Sequence, residues 1–148
     1  MTGSLLEAAA TKWGFDAVKG LVRRVAPETP SETVKAIREA VDRAAKSFHE
    51  RHGSRYGGKN NSFLVRKENV ETIIRSTLPG NGPLSGEDLN GEGFEEAEEA
   101  PVEVRKEFVE LLHEEMRRDR HLGGILERQE QIRKADRRWD KLLDKVES

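Results

Sequence analysis

Apolar residues recur at steps of three and four along most of this chain, and this spacing is that of one face of an α-helix. Clusters of proline, glycine and asparagine separate the periodic stretches, as turns do. The predicted helices span about residues 4–25, 31–52, 63–78, 101–122 and 123–148. In the second of them, the predicted buried face consists of Val34, Ile37, Val41, Ala44, Ala45 and Phe48. The pattern predicts an all-α bundle of four to six helices in a single domain, residues 1–148.

The last predicted helix, residues 123–148, carries an apolar stripe with heptad spacing. The stripe consists of Ile125, Ile132, Trp139 and Val146. Residues seven apart lie in one narrow line on a helix, and a narrow apolar line on a charged helix needs a cover. The positions three residues further on are filled by Arg128, Ala135 and Leu142, so a second apolar row forms only near the end. The residues predicted to make helix–helix contacts are Ile125, Ile132, Trp139, Leu142 and Val146.

The cover of this stripe is either the chain's own helices or a partner. Gly123 and Gly124 interrupt the preceding pattern, so the chain either kinks there or turns back as a hairpin. We expect the stripe to pack on the bundle near these glycines and to become exposed toward Trp139. A further interpretation of residues 123–148 is a stem that leads into another domain.

Residues 79–100 interrupt the helical pattern with glycine, proline and acidic residues. The surrounding stretch, 61–99, carries 3 basic and 9 acidic side chains, whereas residues 1–60 carry 11 basic and 7 acidic ones. A segment with few apolar residues and many like charges gains little free energy from packing. We therefore predict that residues 79–100 form a long, mobile acidic loop.

The composition excludes several classes of protein. Charged residues make up 36% and hydrophobic residues 34% of the chain, which suits thin amphipathic helices. There is no cysteine, so disulfides, thiolate metal sites and a cysteine nucleophile are excluded. No secretory signal pattern is present, and no apolar run reaches the roughly 18 residues of a membrane span. We expect a cytoplasmic, non-enzymatic protein without a cofactor, a metal or a small-molecule substrate.

Three motifs contain residue types used in binding or catalysis, and none is complete. The segment 113–117 begins like the zinc helix motif, but Arg117 occupies the place of the second histidine, and a cation repels a metal. His49 and His52 are three residues apart and lack an evident third ligand. Residues 55–62 combine glycines, a lysine and a serine before a predicted helix, without the spacing of a phosphate-binding P-loop. We interpret the histidines as surface residues and the glycines as turn residues.

Three serines precede predicted helical segments: Ser31, Ser62 and Ser85. A serine in this position accepts a hydrogen bond from a backbone N–H of the first turn, so we interpret them as helix caps rather than nucleophiles. The many acidic residues include no pair with an inferred apolar environment, and no general acid–base pair is predicted.

The first predicted helix is basic and amphipathic, which supports an alternative hypothesis, a membrane-acting effector. The residues that would contact the membrane are Leu5, Leu6, Trp13, Leu21, Arg23 and Arg24. The competing interpretation places this helix in the core with its basic residues at the edges. A nucleic-acid-binding accessory protein is a third hypothesis, which the formal net charge of −2 and the lack of a binding motif disfavour.

Two stretches of the sequence resemble a known family. The first is Arg55-Tyr56-Gly57 with residues 61–71, and the second begins at Pro101 and includes residues 108–119. Together they resemble the N-terminal helical regions of bacterial STAND NTPases with NACHT-type ATPase domains. Those proteins are relatives of animal NLR receptors and act in signalling or phage defence. The resemblance covers about residues 1–135, and the NTPase motifs themselves, including the phosphate loop, are not in this sequence.

The resemblance implies an effector or adaptor module attached to an NTPase domain whose oligomerisation is driven by nucleotide. It assigns no catalytic residue to this sequence. Combined with the apolar stripe, it leads to the main expectation. The chain is expected to act as a helical interaction or signalling module, by association with a protein partner or with a second copy.

Overall fold

A computed structural model describes residues 15–57, 61–95 and 97–147, and within them the side chains of all residues except 15–18, 140 and 144–147. Five α-helices lie in these ranges, and the ranges contain no β-strand. The helices are α1 (Phe15–Val25), α2 (Ser31–His52), α3 (Lys67–Ser76), α4 (Val102–Arg118) and α5 (Arg120–Glu147). The prediction of an all-α bundle of four to six helices is confirmed. Residues 4–14 of the first predicted helix, with Leu5, Leu6 and Trp13, lie outside the described residues.

The centre of the bundle is a cluster of aromatic rings between α2 and α4. Phe48 of α2 contacts Phe108 of α4 edge-on, with ring centroids 6.2 Å apart and planes at 84°. Phe63, in a short 3-10 turn at Phe63–Val65, contacts Phe48 in the same way at 5.7 Å. All three rings are fully buried, and each edge-on pair stabilises the core by about 1 kcal/mol beyond its burial. The six residues predicted as the buried face of α2 are all buried.

The predicted serine caps have different outcomes. The Ser62 hydroxyl accepts a hydrogen bond from the Leu64 N–H at 3.1 Å and begins the 3-10 turn as predicted. Ser85 begins a second turn at Gly86–Asp88, where its N–H donates to the Asp88 carboxylate at 3.0 Å. The prediction for Ser31 is wrong, because Pro30 occupies the cap position and Ser31 is already inside α2.

The connection between α3 and α4 spans residues 77–101, and one buried asparagine attaches it to the bundle. Asn69 of α3 is 1% exposed, and its Nδ2 donates to the carbonyl oxygens of Phe63 and Asn90, each at 2.7 Å. Its Oδ1 accepts from the Asn90 N–H at 2.9 Å. One side chain therefore bonds to three backbone groups that lie outside the α-helices, and the amide itself, which is buried, has its own hydrogen-bonding groups paired. The connection also contributes Leu84 and Leu89 to the core.

The acidic part of this connection is held by backbone hydrogen bonds to the segment before α3. The Phe94 N–H donates to the Asn61 carbonyl at 2.8 Å, and the Glu98 N–H donates to the Arg55 carbonyl at 3.2 Å. At Gly91 a Cβ would lie 2.2 Å from the Ala100 carbonyl oxygen, so only glycine permits this close approach. The loop is packed against the bundle along much of its length, and its mobility stays a prediction.

The break between the last two helices lies at Asp119 rather than at the two glycines. Helix α4 ends at Arg118, and the Asp119 carboxylate accepts from the N–H groups of His121 and Leu122, at 2.8 and 3.0 Å. An aspartate in this position caps a new helix, which explains why α5 begins at once. The expectation that Gly123 and Gly124 mark the break is wrong, because both lie inside α5. At Gly123 a Cβ would come within 3.4 Å of two α4 carbonyl oxygens, so its absence eases the contact between the helices.

We predict that Asn69→Ala lowers the free energy of unfolding by roughly 3 kcal/mol, because it removes three hydrogen bonds. Two of them join the part-buried N–H and carbonyl of Asn90, and the third joins the Phe63 carbonyl, which keeps only the Arg66 N–H as a partner. Urea unfolding followed by circular dichroism measures this change. Asn81→Ala is the matched control, since the Asn81 side chain makes only hydrogen bonds of 3.4 Å. Equal losses in the two variants would show that the Asn69 bonds are not a principal attachment of the loop.

Candidate functional site: the exposed apolar face of α5

The first half of α5 is part of the core. Leu122, Ile125 and Leu126 are all buried, with exposed fractions of 0%, 8% and 1%. Gln129 is 1% exposed, and its Nε2 donates to the Ser76 carbonyl oxygen at the end of α3, at 2.7 Å. This half of the helix is therefore fixed both by apolar packing and by a buried hydrogen bond.

The second half of α5, residues 131–147, projects from the bundle. Every side chain described from Gln131 to Leu143 is exposed. At 1.5 Å per residue, this projecting half is about 25 Å long. It carries four large apolar side chains with high exposure: Ile132 at 50%, Trp139 at 66%, Leu142 at 53% and Leu143 at 54%. Solvent-exposed apolar residues are ordinary one by one, but a contiguous group on one helix is typical of an interaction surface.

The structure divides the residues predicted for helix–helix contact into two groups. Ile125 belongs to the core and also lines a cleft of about 590 Å³ that Pro27, Pro79 and His121 border. Ile132, Trp139 and Leu142 form the exposed face, together with the adjacent Leu143, which was not among the residues predicted for helix–helix contact. The side chain of Val146 lies outside the described residues. The expected transition from a packed to an exposed stripe thus occurs between Gln129 and Ile132.

Position 117 of the incomplete zinc motif is occupied by an arginine that contacts α5. The Arg117 guanidinium forms an ion pair with Glu130 at 3.1 Å. Burial lowers the pKa of His113 below its ordinary value, and the nearby Arg117 and Arg133 act in the same direction, with Glu130 opposing them. His113 therefore favours the neutral form. Within the described ranges, no group of three histidine, aspartate or glutamate side chains is placed to hold a metal ion.

The other histidine pair makes structural contacts. The His52 Nε2 lies 2.6 Å from the Glu107 carboxylate, which joins the end of α2 to α4. The same imidazole packs edge-on against Tyr56, with ring centroids 5.2 Å apart. The described part of segment 55–62 is also structural, since Arg55 pairs with Glu98 at 3.0 Å. Lys59 and Asn60 of that segment lie outside the described residues.

The residues of the membrane hypothesis are only partly described. Leu21 is 2% exposed and lies in the core, so its side chain is not available to a membrane in this conformation. Arg23 is hydrogen-bonded to the turn that follows α1, and Arg24 is exposed. No helix among the described residues has the length and apolar character needed to cross a membrane.

Comparison of the chain with protein-family models, with curated proteins and with solved structures finds no match.

We predict that the two halves of the apolar stripe differ in their effect on stability. Ile125→Ala should lower the free energy of unfolding by about 2–4 kcal/mol, because it opens a cavity in the core. Ile132→Ala should change it by less than about 0.5 kcal/mol, because the side chain is half exposed. Urea unfolding at a protein concentration of a few micromolar measures both changes. A large loss for Ile132→Ala would mean that the projecting half packs on its own bundle.

We predict that the chain loses stability as the pH falls from about 7.5 to 5.5, and that His113 is one cause. Its pKa in the folded state is below the ordinary value of 6.5, so the unfolded state takes up the proton first. The stabilisation is complete above the unfolded pKa and declines as the pH falls through that value. Replacing His113 with glutamine should reduce the difference in unfolding free energy between the two pH values.

The exposed His121, replaced by glutamine, controls for the loss of an imidazole. An unchanged pH dependence in His113→Gln would contradict the assignment.

Proposed function

We propose that this chain is a non-enzymatic interaction module that associates through the projecting half of α5, and that the partner helix is α5 of a second copy. The observation that carries the proposal is the exposure of Ile132, Trp139 and Leu143 on a helix whose first half is buried. A single helix cannot cover its own apolar face, so a second helix is the simplest cover.

The exposed apolar residues share one face of the helix. At 100° per residue, Ile132, Trp139 and Leu143 fall within about 40° of one another. Ala135 and Leu142 extend this face to about 100°, which is the width of the apolar side of an amphipathic helix. The face is therefore wide enough for helix pairing, although the heptad stripe alone is narrow.

The expected association is weak. Covering the exposed parts of the four large side chains contributes on the order of 5 kcal/mol for each helix. Association costs several kcal/mol or more in lost translational and rotational freedom. The difference corresponds to a dissociation constant in the micromolar range or above, so the module is expected to respond to its local concentration. A module of this kind becomes active when another part of an assembly brings copies together.

The charges at the edges of the face favour a parallel pair. Asp136 lies at one edge of the apolar face and Arg138 at the other, and both are exposed. In a parallel pair, the acidic edge of one copy faces the basic edge of the other. In an antiparallel pair, like edges face each other, which is unfavourable. Parallel pairing also leaves both bundles at the same end of the paired helices.

The resemblance to the N-terminal regions of STAND NTPases supports the same proposal. An effector or adaptor region joined to an oligomerising ATPase would be brought to high local concentration by its neighbours. A weak, parallel helix pair would then form only in the assembled state, which suits signalling or defence.

We predict that the wild-type chain shows concentration-dependent self-association in sedimentation velocity experiments up to about 500 μM, a range set by the micromolar expectation. Trp139→Ala and Ile132→Asp should weaken it by at least roughly tenfold, because they remove apolar contact from the face or place a charge in it. Lys134→Gln changes the net charge by the same amount as Ile132→Asp but lies on the opposite side of the helix, so it should associate like the wild type.

The chain has no cysteine, so a single introduced cysteine reports the orientation of the pair. Oxidation should cross-link Ala135→Cys between copies in a parallel pair, whereas Lys134→Cys should remain uncross-linked. A wild-type monomer at all concentrations, with equal cross-linking of the two cysteine variants, would exclude self-association. Capture of a different protein that Trp139→Ala fails to bind would then assign the face to another partner.

A further inference from the structure

A groove between α1 and α2 is lined by six residues, four of which are basic. Its volume is about 270 Å³. The lining residues are Lys19, Arg23, Ser31, Val34, Lys35 and Arg38. We call it the basic groove. It shares no residue with the exposed face of α5.

Among the described side chains, three of the four cations of the basic groove form no ion pair. No carboxylate among the described residues lines it, and Lys19, Arg23 and Lys35 form no ion pair with a described side chain. The fourth, Arg38, forms an ion pair with Asp42 at 3.9 Å. Cations that converge on one groove repel one another, and a bound anion would relieve this repulsion.

One of these cations is held in place. The Arg23 guanidinium donates to the carbonyl oxygens of Pro27 and Thr29, at 3.2 and 2.9 Å, and to the Ser31 hydroxyl at 3.3 Å. All three acceptors are neutral, so the guanidinium keeps its full charge while its orientation is fixed. A pre-oriented cation loses little conformational entropy when it binds a ligand, which increases affinity.

We propose that the basic groove binds a small ligand with two or more phosphate charges. Phosphate oxygens accept charge-assisted hydrogen bonds from arginine and lysine, and the groove offers both kinds of donor from two helices. Its volume admits one or two phosphate groups but not the extended backbone of a nucleic acid, which needs a longer basic track. The same chemistry is presented by a free polyphosphate and by a phosphorylated lipid headgroup.

Pyrophosphate is the soluble probe, and isothermal titration calorimetry in low salt measures its binding. Lys35→Glu should weaken the binding by roughly tenfold or more, because it replaces a charge-assisted donor with a repelling group. Lys46→Glu is the matched control, since Lys46 is exposed on the same helix outside the groove. Lys19→Ala should weaken binding independently, from the other wall. Circular dichroism of each variant confirms that the helices are intact.

Phosphatidylcholine vesicles with phosphatidic acid, tested by co-sedimentation, separate the two sources of phosphate. The proposal is supported if Lys35→Glu weakens the binding of either probe and Lys46→Glu does not. The probe that binds identifies the source of the phosphate. If neither probe binds the wild-type chain, or if Lys35→Glu and Lys46→Glu behave alike, the proposal is overturned. The proposal is independent of α5, so Trp139→Ala should bind the probes like the wild type.

Discussion

The amide of Asn69 joins three separate segments of the chain: α3, the 3-10 turn before it, and the connection after it. It lies on α3, between the 3-10 turn that ends at Val65 and the long connection that passes through Asn90. A connection without helical hydrogen bonds must find partners for its buried backbone groups, or lose free energy for each one left unpaired. Asn69 supplies partners for both sides at once, and the connection can then place Leu84 and Leu89 in the core. The Leu89 carbonyl also accepts a hydrogen bond from the Arg105 guanidinium of α4 at 2.9 Å, so the connection is bonded to both α3 and α4.

Gln129 has a comparable position on α5, but only one of its two polar atoms is satisfied. Its Nε2 donates to the end of α3, whereas its Oε1 has no hydrogen-bond partner among the described residues. A buried amide with an unpaired oxygen contributes less than a fully paired one. The packed half of α5 is thus held mainly by its buried apolar side chains, with the Gln129 hydrogen bond as a further attachment to the end of α3.

The helical pattern of the sequence predicted the class of fold and the buried face of α2, because apolar periodicity directly reflects which side of a helix is covered. It placed the last helix break at Gly123 and Gly124, since glycine is the stronger general signal for a break. The Asp119 cap decided the outcome instead, and an aspartate before His121 and Leu122 was the signal available to find it.

The sequence pattern could not predict contacts between segments that are far apart along the chain. Nothing local distinguishes Asn69 or Gln129 from a solvated polar residue, because their partners are far away along the chain. The exposed face of α5 was predicted in part, since the heptad spacing identified Ile132 and Trp139 but not Leu143. The basic groove was missed because it combines residues from two helices, and only their packing brings the charges together.

The continuity of α5 has a consequence for how its projecting half remains helical. A short isolated helix is marginal in water because its first turn is costly to form, whereas each added residue costs little. In this chain the core holds the first turns of α5 in place, with Leu122 and Leu126 buried. The residues beyond Gln129 therefore extend a helix that has already been nucleated. The exposed face of α5 is therefore already ordered, so a partner that contacted it would cause little further loss of conformational entropy, and its helicity depends on the folding of the bundle.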